Sequence, residues 1–261
     1  MMLWGAGCSD GSAHTDPDAS RDAGPADDAA PVDADLPFDA GHADSGITMD
    51  GGPWDAGATA FGEIAGPCGR LVAELGVSTP SFFQTRLDFA MDGFDDPAER
   101  SLLTAGAQEI LMDGTAGGSS GVSEAFAFEV LARCENATLV KSETEIVYVP
   151  ATSPKTDMLV SMGDVPVGVS VVRAVGFPPD SPYTTAEALI IERKLDDILE
   201  SSANVVAADR WVKQILVVMA YADMHAESIR TVWEGLDPAT RADTIVYVVV
   251  TDGEDTPVYF E

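Results

Sequence analysis

The stretch KTDMLVSMGDVPVGVSVVRA, Lys155 to Ala174, decides the fold. It holds two apolar runs separated by Gly163-Asp164, a pair suited to a tight turn, and so predicts two adjacent strands. The second run is almost continuously apolar, the mark of a strand covered on both faces. Asp157 stands at the head of the first run, and a carboxylate among apolar neighbours needs a partner.

Upstream, SEAFAFEVLARCEN repeats Phe126, Val130 and Cys134 at helical spacing, with Ser123 placed to cap the helix. TLVKSETEIVYVP then alternates, with Val140, Ile146 and Tyr148 on one side and Lys141, Glu143 and Glu145 on the other, as a half-exposed strand does. Downstream, TTAEALIIERKLDDILESS reads as a helix opening at Thr184 or Thr185. The spacing in AADRWVKQILVVMAYADMHAESIRTVWEGL predicts one long helix or two in sequence, with Trp211, Gln214, Val218 and Tyr221 near one face and His225 at a surface or helix end. ADTIVYVVVTDGEDTPVYF predicts an interior strand, an Asp-Gly turn and a short terminal strand. The segment from Cys68 to Gly114 reads as a preamble of short helical pieces. The fold class is therefore α/β: a mixed central sheet flanked by helices, in the order α-β-β-β-α-α-β.

The first 60 of the 261 residues differ in kind, being built from Asp, Ala, Gly and Pro with no Lys, no Glu and one Arg. Too few large apolar side chains are present to offset ordering entropy, so 9–60 is expected to be a disordered, solvated tether and 61–261 a single globular domain. Cys8 lies in GAGC-SD, which resembles a lipobox, and residues 1–8 then read as the remnant of a lipoprotein signal. The expectation is lipid attachment at Cys8 to a cell-envelope membrane, with no transmembrane helix. In an oxidising compartment Cys68 and Cys134 are a candidate disulfide; as two separate buried thiols they fit the sequence equally.

The order of elements from about 123 to 261 resembles the core of the PD-(D/E)XK, or restriction-endonuclease-like, superfamily. There, a helix supplies Glu, one strand supplies Asp, and the next supplies Glu-x-Lys. Here the helix carries Glu124 and Glu129, the first strand carries Asp157, and the next reads VGVSVVRA. The chain also resembles a branch of that superfamily with a degenerate active site, whose members carry KTD, VGVSVTRA and WVKQIL-like strings. The resemblance implies a divalent ion held by Glu129 and Asp157, because carboxylates are hard ligands that fix such an ion against a phosphate oxygen. Ser170 and Val172 occupy the Glu and Lys places, so a metal ligand and the residue that positions water are both missing. Lys155, two residues from Asp157, and Arg173 are the candidate substitutes; either is equally suited to neutralise Asp157 as a structural pair. Glu124, Lys213 and Gln214 are accessory candidates.

The formal net charge of −30, from 14 basic and 44 acidic residues, disfavours strong binding to nucleic-acid phosphates. The expectation is thus a surface lipoprotein with a nuclease-like domain that binds an unknown protein or small-molecule ligand, without a cofactor. The alternative is an active Mg2+- or Mn2+-dependent phosphodiesterase using Glu129, Asp157 and Lys155.

Overall fold

A computed structural model describes residues 60–260 apart from 116, 117 and 119. Cys8 and the tether lie outside the described residues. In chain order the elements are β1 (Glu63–Ala65), α1 (Leu71–Glu74), β2 (Ser81–Asp88), α2 (Ala105–Asp113), α3 (Gly121–Glu135), β3 (Thr138–Ser142), β4 (Met158–Met162) and β5 (Val165–Ala174). They continue with α4 (Thr185–Ala188), α5 (Ile190–Asn204), β6 (Lys213–Ala220), α6 (Asp223–Gly235), α7 (Pro238–Arg241), β7 (Ile245–Asp252) and α8 (Thr256–Tyr259).

The seven strands form one mixed sheet in the order β1-β2-β7-β6-β5-β4-β3. β2, β7, β6 and β5 are mutually parallel, while β4 and β3 continue antiparallel on one side and β1 antiparallel on the other. β4 and β5 are joined through Gly163-Asp164, both at positive φ (54° and 66°), the conformation that a two-residue hairpin turn requires.

Alternate residues of the central strands feed two cores. Val169, Val171, Ile215, Val217, Tyr247 and Val249 pack with Phe126, Val130 and Leu131 of α3. Leu216, Val218, Val246 and Val248 pack with Leu195 and Ile198 of α5 and Ile229 of α6. The domain is therefore a sheet between helical layers, and a third small cluster gathers Ile146, Tyr148, Val205 and Trp211 around Leu159 of β4.

Several expectations are corrected. The segment read as a long helix holds the central strand β6, buried at every position, and only then α6. Trp211, Gln214, Val218 and Tyr221 therefore share no helical face. The segment from Ser81 to Asp88, read within a helical preamble, is strand β2. The chain end forms the single turn α8 instead of a strand. Ser123 lies inside the first turn of α3 and donates to the Ser120 carbonyl, so it is not the cap. The alternating segment after Asn136 leaves the strand at Ser142, where a 3-10 turn over Glu143–Glu145 begins. His225 is fully buried, packed beside Tyr183 and Tyr221.

Cys68 and Cys134 are joined in a disulfide across 66 residues, tying the chain ahead of α1 to the end of α3. Gly69 N donates to the Cys134 carbonyl and Leu71 N to Glu135 Oε2, so the link reinforces an existing junction. Closing a loop of that length removes unfolded-state entropy worth about 4 kcal/mol. Replacing both cysteines with serine is expected to lower unfolding free energy by about that amount, read by denaturant titration under oxidising conditions.

Candidate functional site

Asp157 immediately precedes β4, and its Oδ2 accepts from Val171 N at 2.6 Å. Met158 pairs with Val169, so the same register carried one step further sets Asp157 opposite Ser170 and on the same face of the sheet. Glu124 belongs to the first turn of α3, where the helix dipole favours a carboxylate, and is only 2% exposed. Glu143 opens the 3-10 turn after β3. That turn is fixed by Ser142, whose N–H donates to Glu145 Oε2 at 3.0 Å and whose hydroxyl donates to Asp113.

Carboxylate oxygens of Glu124, Glu143 and Asp157 come together within 4.8 Å of one another. They line a cavity of about 510 Å3 whose wall also carries Lys155, Lys194 and Asp197. Lys194 and Asp197 come from α5, three residues apart and therefore on neighbouring parts of one helix face.

The crowding shows in the acid–base behaviour. Burial pushes the Glu124 carboxyl up to about 7, with the charges of Asp157 and Glu143 adding to the rise, while Ser120 and Lys194 oppose it. Burial likewise pushes Asp157 up to about 6, and Glu143 adds, while Lys194 and the Val171 N–H pull it down. Glu124 and Asp157, this close together, titrate as a pair and share protons near neutrality. A divalent ion at their centre would replace that proton. Oxygens about 2.1 Å from Mg2+ stand at most about 4.2 Å apart, and about 2.4 Å from Ca2+ at most about 4.8 Å, so a mutual reach of 4.8 Å matches the larger ion at its limit, and Mg2+ would need the three groups to draw closer. When bound, the ion would supply positive charge to polarise a bound oxygen.

Of the residues singled out from sequence, Glu124, Asp157 and Lys155 meet at this cavity. Glu129 does not: five residues beyond Glu124, it is rotated about 140° around α3. Its Oε2 accepts from Thr104 N (2.8 Å) and Oγ1 (2.7 Å) at the start of α2, and Arg133 lies 3.8 Å from its Oε1. Arg173 projects on the opposite face from Asp157 and donates to the Tyr259 carbonyl at 3.1 Å. Lys213 is buried at the start of β6, bonded to the Val77 carbonyl and 3.4 Å from Asp243. The Gln214 amide is enclosed by Gly168, Trp211 and Ser202. Ser170 and Val172 are 3% and 6% exposed.

Glu143, Lys194 and Asp197 were not singled out from sequence. Lys194 adjoins the buried stripe of Ile191, Leu195 and Ile198, so a helical wheel puts it beside the core, but which neighbour it meets depends on how α5 docks.

No known family profile matches the chain, and no solved structure matches it. A Dictyostelium discoideum protein described as "AAC-rich mRNA clone AAC4 protein" is 38% identical over 155 residues, which cover 56% of this chain and 22% of that protein. Among the described residues no helix is long and apolar enough to cross a membrane.

Both carboxyls titrate above the usual carboxylate range when folded and near about 4 when unfolded. The folded chain therefore binds more protons between those values, and stability falls as pH rises from about 4 through about 7. Asp255, pushed up to about 6 chiefly by burial, acts in the same direction. In chelator, the unfolding free energy from denaturant titration is expected to drop from pH 5 to pH 8. Glu124→Gln should flatten the drop by an amount on the order of 2 kcal/mol, and an unchanged slope in that variant would contradict the shared-proton description.

Proposed function

We propose that the region from Gly121 onward is a restriction-endonuclease-like domain that has kept a divalent-cation site and lost the strand motif of a nuclease. It works as a cation-dependent binding module. The observation that carries this reading is the approach of Glu124, Asp157 and Glu143 oxygens within 4.8 Å. Two further features support it. The path α3-β3-β4-β5-α4-α5-β6, with β3, β4 and β5 antiparallel and β6 parallel to β5, supports the resemblance to that core. Ser170 and Val172 also share the sheet face of Asp157, where a nuclease would need its Glu and Lys. On this reading Glu143 stands in for the missing strand ligand, so the ion is held from α3, the 3-10 turn and the head of β4. GAGC-SD around Cys8 and the acidic segment after it support display from a lipid anchor on the cell envelope.

A second reading, a metal-dependent phosphodiesterase, is favoured by one observation: Lys155 and Lys194 line the same cavity as the carboxylates. Either ammonium would then hold the attacking water beside the ion, the task of the Lys missing at position 172. The acidity of the chain weighs against long nucleic acids as its substrate.

Calorimetric titration with Mn2+ and Mg2+ tests the first reading. One site is expected, lost in Asp157→Asn and weakened at least about tenfold in Glu124→Gln, with Glu129→Gln binding as wild type does. Equal binding by all four proteins, or by none, would overturn it. Incubation with DNA, RNA and bis(4-nitrophenyl) phosphate separates the two readings: no turnover is expected. Turnover abolished by both Asp157→Ala and Lys194→Ala would establish the hydrolase instead.

A further inference from the structure

The parallel strands β2, β7, β6 and β5 end side by side at Asp88, Asp252, Ala220 and Ala174. Three strand spacings separate the outer pair, about 15 Å, so the connections leaving these ends adjoin one another. They are also bonded together: Glu254 N donates to the Ala90 carbonyl at 3.2 Å, and Tyr221 N to the Ala174 carbonyl at 3.0 Å. The Tyr221 and Tyr259 rings stand 5.4 Å apart.

Each connection shows a large apolar side chain to solvent. Met91 after β2 is 94% exposed, Phe177 after β5 90%, Met224 after β6 46%, and Phe260 after β7 and α8 45%. A single exposed apolar residue is ordinary, but three on the connections and one in the first turn of α6, all at one end of a sheet, make a rim. Exposed carboxylates of Asp92, Asp95, Asp180, Asp223, Asp252 and Glu254 surround them. Arg86 offsets two of these charges, its guanidinium being bonded to Asp223 and Asp252, while Asp92, Asp95, Asp180 and Glu254 keep the rim acidic for a partner.

We propose that this end of the sheet docks a cationic amphipathic segment of another protein, with its apolar side chains on the Met91, Phe177, Met224 and Phe260 rim and its Lys or Arg residues on the surrounding carboxylates. Charge complementarity selects this occupant. A second copy would oppose carboxylates to carboxylates, as would an anionic lipid surface. The first 60 residues of the chain bring only one Arg against their many Asp. Methionine suits such a surface, since its unbranched side chain adapts to differently shaped partners.

The test is fluorescence anisotropy of the full chain with a labelled Leu/Lys peptide whose leucines follow helical spacing, beside a scrambled peptide of identical composition. At physiological salt the patterned peptide is expected to bind at least about tenfold tighter. The double variant Met91→Ser, Phe177→Ser leaves net charge unchanged and should remove that advantage. The control pair Met112→Ser, Val140→Ser, exposed elsewhere on α2 and β3, should retain it. Matching circular dichroism and melting temperatures establish that the variants are folded. Equal binding of both peptides would reduce the effect to bulk charge and overturn the proposal, as would an unaltered preference in the rim variant. Self-association by sedimentation, or binding to anionic vesicles, abolished by the rim variant would assign the surface to a second copy or a membrane and overturn it too.

Discussion

The carboxylate of Asp157 is the group to which the pairing of β4 with β5 is fitted. Half-buried at the cavity, it is held by the Val171 N–H at 2.6 Å, and Lys194 favours its charged form. That bond exists only in one pairing of β4 with β5. A slip of one residue would turn every side chain of β4 to the other face, sending Met158, Val160 and Met162 out of the first core. Gly163 and Asp164 enforce the pairing from the other end of the hairpin, because both accept positive φ. Turn chemistry, core packing and the Asp157 carboxylate thus specify the same register.

The hairpin from Met158 to Ala174 was legible in the sequence, because a Gly-Asp turn between apolar runs is a local signal. So was α5, whose buried residues recur at helical spacing, and so was α3 through its Phe126, Val130 and Cys134, although that helix is buried on nearly every side. β6 was not. Its eight residues are buried on both faces, so its apolar run carries no period of two and blends into the helical pattern of α6 that follows. β2 escaped for the opposite reason: Gln84 and Arg86 interrupt the apolar positions, and only pairing with β7 makes the strand. Propensity and period describe a segment alone, whereas these two strands are defined by their neighbours.

The site divides along the same line. Asp157 and Glu124 were legible because each stands at a strand or helix start beside apolar residues. Choosing between Glu124 and Glu129 was not possible from spacing alone. Five residues apart on one helix, they point in different directions, and the start of α2 takes Glu129 through Thr104. Glu143 became visible only once the strand was seen to stop at Ser142, which turns the residue from an outward position in an alternating run toward the cavity.

The positions held by Ser170 and Val172 show why a cation site at this edge would be built from loops and helix starts. Both residues are almost fully enclosed, and Val172 packs in the core formed with α5 and α6. A Glu or Lys there would bring an ion into an apolar layer, at a cost of several kcal/mol unless paired and hydrogen-bonded. With apolar or small side chains, β5 runs covered on both faces and α5 closes over it, which brings Lys194 and Asp197 to the cavity wall. The charges that this strand does without are thereby gathered at its margin, where Glu124 keeps contact with a helix N-terminus and Glu143 lies on a turn. The packing that leaves positions 170 and 172 of the strand without an ionic side chain is the same packing that brings Lys194 to the cavity.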